Sequence, residues 1–216
     1  MKPSVSEDSQ RPIVTLVDDD ASVREAMSNL LDSVGIESLT FASAREFLSA
    51  AIPDRPGCLI LDVRMPGLSG LDLQHHLTSK GVHTPIVFLT GHGDIAMSVE
   101  AMKAGALDFL TKPVRDQALL DAVLKAIAID VRRRDEAATS RLHVNRYKIL
   151  TSRERQVMRL VVSGALNKQI AFDLGISEVT VKLHRASMMK KMQANSVPQL
   201  LTAWQAIPDN LRMADN

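Results

Sequence analysis

The chain has 216 residues and a formal net charge of +1, enough for one large domain or two small ones. Cys58 is the single cysteine, which excludes a disulfide framework, and with no signal-peptide core and no apolar stretch of membrane length a soluble, cytoplasmic protein without a membrane partner is expected. The near-neutral total conceals a split: 11 Lys and Arg against 18 Asp and Glu up to Asp130, then 15 against 7, a balance of −7 followed by +8. Such asymmetry suggests an acidic domain joined to one that meets a polyanion.

The first half alternates between two periodicities. Residues 13–17 predict a strand, and residues 21–34 a helix through Val23, Met27, Leu30 and Leu31, stopped by Gly35. Residues 36–40 predict a weak strand and 43–51 a short helix. Residues 58–61 predict the third strand, 70–79 a helix, 85–89 the fourth strand, and 94–104 a helix ended by Gly105. Residues 107–110 predict the fifth strand, and a long helix begins near Arg115. Five such units predict an α/β doubly wound, five-stranded parallel sheet. The last helix carries an apolar stripe of Leu119, Val123, Leu124, Ile127 and Val131, then Arg132-Arg133-Arg134. That charge run reads first as a solvated face or tether, with a helix continuing past the domain as the alternative.

From Thr151 onward the pattern is helical. Thr151-Ser152-Arg153-Glu154 has capping-box spacing, followed by Val157, Leu160 and Val161 on one face and Gly164 at the end. Asn167 is placed to cap a second helix carrying Ile170, Ala171 and Leu174. Gly175-Ile176-Ser177 makes a tight turn into a third helix at 178–193. A fourth follows Ser196, with Leu200, Leu201 and Trp204 inward. Two helices joined by a short turn containing Gly form a helix-turn-helix unit, here within an all-α four-helix domain. The expected boundaries are 12–128 for the first domain, 129–148 for a helical linker and 149–210 for the second domain.

Asp18, Asp19, Asp62, Thr90 and Lys112 each lie just past an apolar run. The carboxyl ends of parallel strands share one sheet edge, so these residues should meet at one crevice. Three carboxylates, a hydroxyl and an ammonium suit a magnesium-assisted phosphoryl site. Mg2+ would relieve the repulsion among the carboxylates, which otherwise raises their pKa values. Asp62 is the candidate nucleophile for an aspartyl phosphate, with Lys112 and Thr90 stabilising the phosphoryl oxygens. Asp20 reads as a helix cap. A haloacid-dehalogenase-type phosphatase would use Asp18-Asp19-Asp20 as its Asp-x-Asp motif, but it leaves Asp62 without a role and the basic C-terminal helices unexplained.

Val17-Asp18-Asp19-Asp20, Leu61-Asp62-Val63-Arg64-Met65-Pro66-Gly67, Leu89-Thr90-Gly91-His92-Gly93 and Asp108-Phe109-Leu110-Thr111-Lys112-Pro113 together resemble the receiver domain of two-component response regulators. Residues 151–192, with Asn167-Lys168-Gln169-Ile170-Ala171 and Thr180-Val181-Lys182-Leu183-His184, resemble the LuxR-type DNA-binding domain. The combination is similar to NarL/FixJ-type regulators, nearest the FixJ type in Gly91-His92-Gly93-Asp94. The resemblance implies a transcription factor rather than an enzyme, phosphorylated on Asp62 by a sensor histidine kinase. It implies Mg2+ on Asp19, Asp62 and the Arg64 backbone carbonyl, with Asp18 bound through water. Thr90 and Phe109 would be the switch pair and Lys112 would sense the phosphoryl group, with Lys112-Pro113 often cis. Many receivers have Tyr at the position of Phe109, so switching here would be a packing event. A homodimer on phosphorylation, promoter DNA and RNA polymerase are the implied partners.

In the implied recognition helix, Val181, His184, Met188 and Met192 share the face toward the core. Lys182, Arg185, Ala186 and Met189 then point toward the major groove, with Lys182, Leu183 and Arg185 as base readers and Leu183 suited to a thymine methyl. Lys168, Lys190 and Lys191 suit phosphates. A receiver whose C-terminal helices serve only as a protein adaptor is disfavoured by the +8 balance.

Overall fold

The structure is a computed structural model that describes residues 11–91 and 95–213. It divides into two compact units between Arg134 and Asp135. The first is built on β1 (Ile13–Val17), β2 (Glu37–Phe41), β3 (Gly57–Asp62), β4 (Ile86–Thr90) and β5 (Asp108–Thr111). They form one five-stranded sheet in the order β2-β1-β3-β4-β5, every pair parallel. α1 (Ala21–Ser33), α2 (Ala44–Ser49), α3 (Gly70–Ser79) and α4 (Ile95–Lys103) join the strands, and α5 (Asp116–Lys148) follows the last one.

Successive strand residues point to opposite faces, and both faces are dry. Val14, Leu16, Cys58, Ile60, Val87 and Leu89 pack with Met27 and Leu31 of α1 and Leu119, Ala122, Val123 and Ala126 of α5. Val17, Leu59, Leu61, Ile86 and Phe88 pack on the other face with Leu73 and Leu77 of α3 and Ala101 of α4. β1 and α3 have the expected bounds, whereas β2, β4 and β5 start one residue later than expected. Pro85 has no N–H to give the ladder, so β4 starts at Ile86. β3 extends by one residue at each end, which makes Asp62 its last residue. The expected start of α4 at Asp94, and the His92-Gly93-Asp94 part of the motif, lie outside the described residues.

The predicted stripe of α5 needs correction. Leu124 is 55% exposed and Val131 39%. Ala122, Ala126 and Asp130 are buried instead, the two alanines in the core with the strand residues. Asp130 is fully buried. Its carboxylate accepts from the Gly57 backbone N–H at 3.1 Å, from Arg133 at 2.5 Å and from Arg134 at 2.7 Å. Arg134 also pairs with Asp54 at 2.5 Å. The arginine run is therefore neither a tether nor a bare solvated face, and α5 runs unbroken for 33 residues.

The second unit holds α6 (Ser152–Val162), α7 (Asn167–Leu174), α8 (Glu178–Met192), α9 (Val197–Gln205) and α10 (Asp209–Met213), the last not anticipated. Its core joins Val157, Met158, Val161, Ile170, Val181, Met188, Met192 and Leu200 with Tyr147 and Leu150. Tyr147 is 2% exposed and lies edge-on to Trp204 at 6.1 Å, while the Arg155 guanidinium sits 5.2 Å from its ring centre. The last turn of α5 is thus part of this core, ahead of the expected start at 149. Leu201 faces outward and Ala203 replaces it in the core. Asn167 does not cap α7: Leu166 holds that position, and its N–H donates to Gln169 Oε1 at 2.7 Å.

Candidate functional site

Strand register assembles the acidic edge. Val17 pairs with Leu61, so Asp18 follows β1 beside Asp62 at the end of β3. Asp62 pairs with Leu89, one residue before Thr90, and Thr90 pairs with Thr111, one residue before Lys112. The Lys112 N–H donates to the Thr90 carbonyl at 2.7 Å, and the Lys112–Pro113 peptide is cis. Asp18 is fully buried, Asp62 is 6% exposed and Thr90 is buried, whereas Asp19 faces outward.

Lys112 Nζ lies 2.5 Å from Asp18 Oδ2 and 3.3 Å from Asp62 Oδ2. Burial opposes its charge, but the hydrogen bond and charge of Asp18, then those of Asp62, outweigh it and raise the ammonium pKa. For Asp62 burial wins: its pKa is raised, and the charge of Asp18 adds to that, despite the opposing effect of Lys112. Each of Asp18, Asp19 and Asp62 offers an oxygen within 4.8 Å of the others. An ammonium held against a carboxylate cluster is the response expected of a site short of positive charge, so the donor set fits a hard, oxygen-seeking divalent cation.

Asp20 stands apart from this cluster. Its Oδ1 accepts from the Ser22 N–H at 2.8 Å and from the Val23 N–H at 3.4 Å, capping α1. The Ser22 hydroxyl, which donates to the same oxygen at 2.6 Å, and then these backbone bonds lower its pKa, and together they occupy the second acid that a phosphatase Asp-x-Asp motif requires. Phe109 is half-buried, with its ring 6.2 Å from that of Phe88. Arg64 is exposed, and its N–H reaches Asp62 Oδ1 only at 3.5 Å.

Two supports were not read from the sequence. Arg24, on α1, donates to the Asp18 carbonyl at 2.6 Å. Gly70 opens α3 against the strand end: a Cβ there would lie 2.2 Å from the Asp62 carbonyl oxygen. The clue to Gly70 was its place next to the capping Ser69; nothing local marked Arg24.

In the second unit, Ser177 caps α8, and its Oγ accepts from the Thr180 N–H at 3.1 Å. Lys168, Lys182, Ala186 and Lys190 are exposed, and Leu183 is 67% exposed. Arg185 is half-buried and donates through Nη1 to Asn167 Oδ1 at 3.0 Å. Val181, Met188 and Met192 are buried as expected, and His184 is half-buried.

One residue expected outward is placed differently, and one lysine expected at phosphates has a partner within the chain. Met189 packs against the core rather than outward. Lys191 Nζ bonds Glu154 Oε2 at 2.6 Å. Glu154 is 3% exposed, and it also accepts from the Thr151 N–H at 2.8 Å and from Ser187 Oγ at 2.6 Å. One carboxylate thereby caps α6 and fastens α8 to it. The expected capping box is present; the two bonds to α8 come from residues more than thirty positions away.

A family model described as the response regulator receiver domain matches residues 14–124, and one described as bacterial regulatory proteins, luxR family, matches residues 148–203. The chain belongs to the response regulators that join a receiver to a LuxR-type DNA-binding domain, of the NarL/FixJ type. It is 50% identical to nodulation protein W of Bradyrhizobium diazoefficiens over 196 residues, 91% of this chain and 86% of that protein. It is 46% identical to the transcriptional regulatory protein FixJ of Azorhizobium caulinodans, covering 87% and 89% of the two chains. The solved structure of the response regulator StyR matches with a TM-score of 0.81 and 48% identity, covering 90% of this chain and 98% of that one. Of these relatives, FixJ is named a transcriptional regulatory protein and StyR a response regulator. Among the described residues, no helix is long and apolar enough to cross a membrane.

Proposed function

We propose that this protein is a cytoplasmic transcription factor that takes a phosphoryl group onto Asp62 from a sensor histidine kinase. It then pairs with a second copy and binds promoter DNA. The observation that carries the reading is the meeting of Asp18, Asp62 and Lys112 at one sheet edge, in a chain that ends in a LuxR-type unit.

Asp62, at the end of β3, is the nucleophile: a carboxylate oxygen attacks phosphorus in line and the donor group leaves from the opposite side. Mg2+ held by Asp18, Asp19, Asp62 and the Arg64 backbone carbonyl would supply positive charge to the phosphoryl oxygens. Lys112 supplies a second positive charge, and the Thr90 hydroxyl donates a hydrogen bond to one oxygen. Movement of Thr90 toward the phosphoryl group lets Phe109 turn inward, and the repacking reaches the surface of α4 and β5. Val99 and Met102, each 46% exposed on α4, belong to the surface that would pair. The receiver accounts for 12–128 and the DNA-binding domain for 149–210, and the stretch 129–148 between them is continuous α5, with Asp130 bonded to Gly57 of the first unit and Tyr147 in the core of the second.

On DNA, Lys182, Leu183, Arg185 and Ala186 face the major groove, while Lys168 and Lys190 meet phosphates. RNA polymerase is a further proposed partner. The test is incubation with a small phosphodonor and magnesium. One acid-stable, hydroxylamine-labile phosphoryl group should appear, vanish in Asp62→Asn and weaken in Asp19→Asn. Labelling of Asp62→Asn at the wild-type level would sink the assignment.

A further inference from the structure

Of the residues of α8 expected to face outward and read bases, Arg185 has its guanidinium held by another side chain. Asn167, 18 residues earlier on α7, accepts its Nη1–H at 3.0 Å. Local helix formation does not account for Asn167. The cap position belongs to Leu166, whose N–H is satisfied by Gln169, so the Asn167 carboxamide is not used as a cap.

An arginine tip without a partner keeps its rotamer freedom and must lose it when it meets a base. A bond already made before DNA arrives removes part of that loss and sets the plane of the fork. Guanidinium carries five N–H donors, so the bond to Asn167 leaves enough for a bidentate pair with the O6 and N7 acceptors of guanine. The neighbours suit the same groove: Lys182 lies one turn earlier and exposed, Leu183 is 67% exposed, and Ala186 is small and exposed.

We propose that Asn167 is a specificity-determining positioning residue, fixing the guanidinium of Arg185 so that its free edge reads one base pair in each half of the operator. This rests on the DNA-binding reading above. Asn167 acts through Arg185 and need not touch a base.

The experiment starts from a random-sequence duplex pool enriched by the phosphorylated full-length protein. Dissociation constants are then measured for the enriched duplex, for its single base-pair variants and for an unrelated duplex. Asn167→Ala should lower discrimination at one base pair per half by about tenfold. It should leave affinity for the unrelated duplex unchanged and add nothing in an Arg185→Ala background. Asn167→Asp keeps the acceptor and should keep the discrimination, at lower overall affinity. Unchanged melting, followed by the fluorescence of Trp204, separates positioning from misfolding. Equal weakening on all duplexes, or an effect that persists without Arg185, would overturn the inference and leave DNA binding intact. A wild-type protein that enriches no sequence would overturn the DNA-binding reading itself, and the inference with it.

Discussion

Glu154 does two jobs with two oxygens, and its protonation should be visible in stability. Burial alone would raise its pKa, but the hydrogen bonds from Lys191, Ser187 and the Thr151 backbone, with the charge of Lys191, bring it down from 4.5 to about 2. A carboxylate with a depressed folded pKa stabilises the fold above its free value, and the contribution fades as pH falls through the folded one. The C-terminal unit should therefore lose stability between pH 4.5 and about 2. Trp204, the single tryptophan, reports on that unit in a urea titration. Glu154→Gln should cost about 2–3 kcal/mol at neutral pH, because a lysine is left without its buried partner, and should flatten the acid limb. Parallel acid limbs for the two proteins would contradict this account. At this scale the acidic site was legible, since Asp18, Asp62, Thr90 and Lys112 each follow a run of apolar residues and strand register does the rest. Met189 was expected outward because α8 is apolar over much of its circumference and spacing alone does not show where its buried face ends, and the pairing of Lys191 with Glu154 joins two helices far apart in sequence. Arg24 and the bonds of Glu154 to Ser187 and Lys191 act across distances that no local pattern encodes.

α5 was the hardest element to read. Three successive arginines normally mark a solvated stretch, yet Asp130 lies fully buried just ahead of them and draws two of them onto itself. Asp130→Ala would free two half-exposed arginines to water but orphan the Gly57 N–H, so the cost should be about 2 kcal/mol. Hydrogen exchange should show the Gly57 amide and the middle of α5 losing protection together; protection equal to wild type would count against the clamp. The other end of α5 serves the second core. Tyr147→Ala removes a buried aromatic from under Trp204 and should cost about 3 kcal/mol. A fragment of residues 135–216 should accordingly melt higher and bind DNA more tightly than one of residues 151–216, which lacks Tyr147 and Leu150. Equal behaviour of the two fragments would show that the last turn of the helix is dispensable. Elements with sharp punctuation were legible, such as α3 between Ser69 and the glycine turn at Gly81. The reach of α5 was not, because its signals are long-range.

Charge is divided along the whole molecule, −7 up to Asp130 and +8 after it. The proposed switch acts on this division: phosphorylation adds further negative charge to the acidic unit and has to favour the paired state by a few kcal/mol to move the population. Sedimentation with and without a phosphoryl mimic should show a shift from monomer to dimer; a monomer that binds DNA tightly would refute that order of events. The placement of Lys191 has a consequence for how the protein leaves the duplex. A cation that neutralises a DNA phosphate releases condensed counterions, and the released ions give the affinity its dependence on salt. Lys191 is already paired with Glu154 of its own chain, so a contact it made with the duplex should expel no further ions. In a plot of log affinity against log salt concentration, Lys182→Ala should make the slope shallower by about one per protomer. Lys191→Met should leave the slope alone while lowering stability, so the salt response of the operator complex is set by fewer lysines than the sequence displays.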